Sequence, residues 1–172
     1  MFHVKRIELK QMFKGMALAI FFSIIASSCI GAKATIQIPD YVLVPNGMEN
    51  IGGAQLTAYI FENNVKKSQI EYFVAYKFKS ANYFEREIWI TINKDKYKLI
   101  IYDNSDFEKY FNSQNYSPIN EETKSDNYSN QRKFIAISMI NAYNEDCLAD
   151  NSLFQNVALK FLTDLKNEYL NQ

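Results

Sequence analysis

The sequence predicts a single α+β domain over residues 35–172, a twisted, mostly antiparallel sheet of four to six strands with an amphipathic C-terminal helix packed on one face. Three observations carry this prediction. Apolar residues alternate with period two in the first half, two β-rich runs flank a short polar turn, and the chain ends on apolar residues at helical spacing.

Thr35-Ile-Gln-Ile-Pro39 reads as extended, and Pro45-Asn46-Gly47 with Gly52-Gly53 punctuates a loop. Gln55–Phe61 alternates around Thr57, Tyr59 and Phe61. Ile70, Tyr72, Val74, Tyr76 and Phe78 form one face of a second strand, with Glu71, Lys77 and Lys79 opposite. Glu87–Asn93 and Tyr97–Tyr102 flank Asn93-Lys94-Asp95-Lys96, an antiparallel hairpin with a short loop. Ser105-Asp-Phe-Glu108 has capping-box form and opens a short helix to about Phe111. Residues 113–133 are polar and without apolar periodicity, a loop long enough to be functional or disordered. Ile135, Ile137 and Ile140 suit a buried strand or a helix, and the strand is preferred for 134–143. Ser152-Leu-Phe-Gln155 is a second capping signal, followed by a stripe of Phe154, Val157, Ala158, Phe161, Leu162, Leu165 and Tyr169. Lys160, Asp164, Lys166 and Glu168 fall largely on the other side.

Residues 1–34 read differently. Lys5, Arg6, Lys10 and Lys14 precede an uncharged run from Gly15 to Ala32, which ends in small residues. A basic head, an apolar stretch and a small-residue tail are the parts of an export signal, and the basic head places the rest outside the cytoplasm. Two cleavage sites compete. Ala26-Ser-Ser-Cys29 resembles a bacterial lipoprotein signal, with Ala26 where Leu is usual, and the resemblance implies cleavage before a lipidated Cys29. Ala32-Lys-Ala34 offers the A-x-A pattern of ordinary signal peptidase, releasing a soluble protein. An uncleaved anchor is the third option, since the run would span about 27 Å as a helix, at the short limit for a bilayer.

From Thr35 onward there are 14 Lys plus Arg against 18 Asp plus Glu, a net charge of −4. A mildly acidic domain without a basic cluster does not fit nucleic-acid binding. Its core is aromatic, with 12 Tyr and 13 Phe in the chain. Removing the export segment also removes His3, the single histidine, which excludes histidine-based triads and histidine metal sites. Cys147 is then the sole thiol besides the Cys29 of a lipoprotein, so no intramolecular disulfide is expected, and acidic Glu145, Asp146 and Asp150 raise its pKa. No phosphate-binding glycine loop is present.

The remaining chemistry is weak. Glu85 and Glu87 share one strand face, where a solvated pair is the simpler reading than a hydrolytic pair. Asp103-Asn-Ser-Asp106 reads as a helix cap, and Asn144-Glu-Asp146 with Asp150-Asn151 lacks the glycine and terminal glutamate of a calcium loop. Tyr59, Tyr72, Tyr76, Tyr97 and Tyr102 at strand spacing read as packing before a ligand groove. Trp89 is the candidate binding residue. No catalytic residue, metal site or cofactor is assigned. The expectation is an exported, non-catalytic module, of inhibitor or immunity type, that binds another envelope or secreted protein, with membrane anchoring through the N-terminus as an option. The alternatives are a small-molecule or lipid-binding envelope protein and a carboxylate-dependent hydrolase.

Overall fold

Phe134–Asn141 (β7) organises the domain because all eight of its residues are buried. Its alternating Phe, Ile, Met and Ile side chains feed both faces of one sheet, and such strands read as near-continuous apolar runs. The computed structural model describes residues 35–65, 68–120 and 132–172. Within them, β2 (Val42–Val44), β3 (Ala58–Glu62), β4 (Glu87–Ile92) and β5 (Asp95–Ile101) join β7 in a five-stranded antiparallel sheet of order β2-β3-β7-β5-β4. β1 (Ile36–Gln37) and β6 (Tyr116–Ser117) form a separate parallel pair. The helices are α1 (Ile70–Lys77), α2 (Asn104–Tyr110) and α3 (Gln155–Leu170). This is the α+β architecture expected from the sequence. Among the described residues no helix is long and apolar enough to cross a membrane.

The sheet separates two apolar layers. Tyr59, Phe61, Ile88, Ile90, Leu99, Ile135, Ile137 and Met139 face α1 and α3. Ala58, Ile60, Phe134 and Ala136 face α2 and Tyr116 on the other side, where Leu56, Ile100 and Ile140 continue the layer. Each large apolar side chain fully buried here stabilises the fold by about 1.5–3 kcal/mol. The hairpin turn is Asn93-Lys94, both at positive φ (53° and 79°), with Ile92 already paired to Asp95. Two central residues at positive φ match the right-handed twist of the flanking strands.

Five local expectations are corrected. Ile70–Phe78 is not a strand: Ile70–Lys77 is helical, and Ile70, Val74 and Ala75 are its buried apolar residues. The segment satisfies both periods, and packing decides between them. Phe73 meets Tyr169 with ring centroids 5.5 Å apart, Phe78 meets Phe161 at 6.1 Å, and Lys77 pairs with Glu168. Arg132 donates to Glu71 at 2.6 Å, to the Tyr102 carbonyl at 2.9 Å and to Asn104 at 3.0 Å, tying α1 to the far end of β5. The cap of α2 is Asp103 with Asp106, not Ser105 with Glu108. α3 starts at Gln155 with no side-chain cap, because the Gln155 amide donates to the Leu148 carbonyl while Ser152 Oγ accepts from the Phe154 N–H. Lys166 is buried in α3 and pairs with Asp40. The polar 113–133 segment is ordered at its start, where Tyr116 is buried and pairs with Ile36; residues 121–131 lie outside the described residues.

The second face holds one buried polar chain. Ser138 Oγ donates to the Thr57 carbonyl at 2.8 Å, so its single proton is committed and the Tyr102 hydroxyl, 2.8 Å away, is the donor between them. The Tyr102 oxygen in turn accepts the Met48 N–H at 3.0 Å. A Cβ on Gly47 would collide with that hydroxyl and with the Leu56 carbonyl. Ser138→Ala leaves the Thr57 carbonyl without its side-chain donor and the Tyr102 hydroxyl proton without an acceptor, and is expected to cost about 1–3 kcal/mol in urea unfolding. Gly47→Ala should cost a comparable amount without removing any group, through the collision alone.

Candidate functional site

The aromatic residues singled out by sequence divide into two groups. Tyr59, Tyr97 and Tyr102 are core residues. Tyr72 and Tyr76, one turn apart on α1, are instead 50% and 71% exposed. The loop leading from α1 to β4 adds Tyr83 and Phe84, 44% and 77% exposed. Tyr83 stacks on Tyr72 with centroids 5.1 Å apart, which makes the two elements one aromatic surface.

This surface rests on a fixed support. Asn82 Oδ1 accepts the Phe84 N–H at 3.0 Å and Ser80 Oγ donates to Glu85 at 2.6 Å. Arg86 then bridges Asp103 at 2.5 Å and Asp106 at 2.6 Å, fixing the loop to the N-terminus of α2. The rings therefore project from a braced turn. Sequence reasoning missed the surface because it assigned Tyr72 and Tyr76 to a packed strand face. The available signal was Ile70, Phe73, Val74 and Phe78, whose helical spacing leaves both tyrosines outside.

Trp89 lies on β4, 51% exposed, with Lys98 Nζ 5.1 Å from its ring centroid; Lys98 also donates to Glu87 at 3.0 Å. An open depression of about 460 Å³ runs beside it, lined by Trp89, Ile90, Thr91, Lys96 and Ala142. A second, of about 360 Å³, lies between Glu145, Asp146 and the 149–154 turn. Both open to solvent. Cys29 and the whole export segment lie outside the described residues.

The acidic candidates other than the exposed Asp150 have local partners. Glu85 precedes β4 and takes the Ser80 hydroxyl, while Glu87 takes Lys98, so the two are not a facing pair. Asp103 caps α2, and the Asp106 N–H, followed by the Ser105 hydroxyl and Arg86, holds its carboxyl below the ordinary 3.8. Asp146 accepts the Thr57 N–H at 2.7 Å and the Leu148 N–H at 2.9 Å, and Glu145 accepts from Asn141 at 2.6 Å. Among the described residues no group of three His, Cys, Asp or Glu side chains is placed to hold a metal ion. Cys147 is buried, and burial, then Asp146 and Glu145, pushes its thiol up to about 12. No protein-family model, curated protein or solved structure matches this chain.

Two outcomes follow for these groups. Because the folded-state pKa of Asp103 is depressed, its stabilisation is complete well above 3.8 and is lost as the pH falls through the lower folded value. Asp103→Asn keeps a capping side chain, so the urea midpoint should fall less steeply below pH 3.8 in the variant than in the parent. Cys147 should resist an aromatic disulfide reagent in the folded protein at pH 8 and react promptly in urea.

Proposed function

We propose that this chain is an exported, non-catalytic module that binds another envelope or secreted protein through the Tyr72–Tyr76–Tyr83–Phe84 surface. The observation that carries the reading is the stacked, exposed pair Tyr72–Tyr83 on a braced support, with exposed Tyr76 one turn along α1 and exposed Phe84 next in the chain. Tyrosine offers wide contact area at low entropic cost and recurs among the residues that dominate protein interfaces. A cluster of exposed aromatic side chains is a common mark of such an interface. The export signal in residues 1–34 and the chance of lipidation at Cys29 support a location outside the cytoplasm, either anchored to a membrane or free. An inhibitor or immunity role fits this size and address.

The test is affinity capture of the tagged full chain from the envelope of its native host, compared with the Tyr76→Ala/Phe84→Ala double variant. Both side chains are exposed, so the variant's unfolding midpoint should stay close to the parent's. A partner recovered near equal stoichiometry with the parent should fall at least ten-fold with the variant. Equal recovery from both would refute this surface as the binding site.

A further inference from the structure

Among the described residues β4 is an edge of the sheet and pairs only with β5. The phase of its hydrogen bonds follows from one contact: the Ile101 N–H donates to the Arg86 carbonyl at 2.8 Å, and Arg86 precedes the Glu87–Ile100 pair by one position. In an antiparallel ladder the bonded pairs alternate, so Ile88, Ile90 and Ile92 direct their backbone groups to β5. Those of Glu87, Trp89 and Thr91 point to the open side, where no described residue pairs with them. Glu-Ile-Trp-Ile-Thr-Ile carries no proline and no inward-pointing charge, the devices that ordinarily protect an edge. The opposite edge, β2, is only three residues long.

We propose that two copies of this chain pair antiparallel along β4 about a twofold axis through Trp89, joining their sheets into one. This inference is independent of the aromatic surface on α1. In that register Trp89 faces the partner's Trp89, and Glu87 faces the partner's Thr91. Thr91 is itself opposite Lys96 on β5, so each Glu87 lies one strand away from a lysine of the other copy. Among registers centred on an outward-facing residue, charge and strand length leave this one. Centring the axis on Glu87 sets carboxylate against carboxylate, and centring it on Thr91 leaves Trp89 beyond the end of the partner strand. The interface is closed, because the same residues serve both copies.

Cysteine pairs read the register directly. Residues 87 and 91 of one strand are about 13 Å apart, too far for a disulfide within a chain. In the full chain under mild oxidation, Glu87→Cys/Thr91→Cys should convert mostly to a covalent dimer on non-reducing gels. Glu87→Cys alone and Thr91→Cys alone should stay at the unmodified protein's baseline, which accounts for Cys29. In parallel, sedimentation of the unmodified full chain in mild detergent should give twice the monomer protein mass at micromolar concentration. Thr91→Pro, which removes an outward N–H and no bond to β5, should give the monomer mass. A double variant that stays monomeric, single variants that link as fast as the double, or an unmodified chain that sediments as a monomer would each overturn the proposal. So would cysteines that link only to a different protein.

Discussion

Burying β7 on both faces and along both edges is the constraint from which the rest of the domain follows. A strand with eight buried residues needs a partner on each side and an apolar layer above and below. β3 and β5 supply the partners, α1 and α3 one layer, and α2 with the 47–56 loop the other. Ser138, the polar side chain in the middle of that strand, is compatible with burial because its hydroxyl donates to the Thr57 carbonyl and accepts from the Tyr102 hydroxyl. The same hydroxyl fixes Met48, so the path of the 47–56 loop is set by the core beneath it.

The two layers do not extend equally. The helical layer covers the inward side chains of β4, with Ile88 and Ile90 both buried, and leaves Tyr72 and Tyr76 on the outer side of α1. The second layer stops short of the outer face of β4, leaving Glu87, Trp89 and Thr91 in solvent. Exposed aromatic groups thus arise where packing ends, one set beside α1 and the other on the edge strand. The two need not share a partner.

The charged groups show a different economy. Arg86 joins Asp103 and Asp106 at the start of α2, Arg132 joins Glu71 on α1 to β5 and α2, and Lys166 joins α3 to Asp40. Each of these contacts ties one segment of the chain to another. Glu71 Oε2 is buried without a hydrogen-bond partner, so this carboxylate gets full satisfaction on only one oxygen. Breaking such a pair costs more than forming it gains, since the remaining group is left charged in a poorly solvated site.

The sequence by itself determined the elements whose local signals agree with their surroundings. The β4–β5 hairpin is legible because Asn93-Lys94 separates two β-rich runs, and α3 because its apolar stripe persists over four turns. The core role of Tyr59, Tyr97 and Tyr102 and the quiet thiol of Cys147 follow from the same kind of reasoning. Tertiary structure decided the rest. Ile70–Lys77 fits both a strand and a helix, and only its contacts with Phe161, Tyr169 and Arg132 resolve it. The caps at Asp103 and before Gln155 depend on which neighbour reaches each polar group first. Tyr72, Tyr83 and Phe84 become a surface, and β4 an edge, only once strand order is known. Spacing along a chain specifies which residues share a face; which face meets another element is a property of the packed whole.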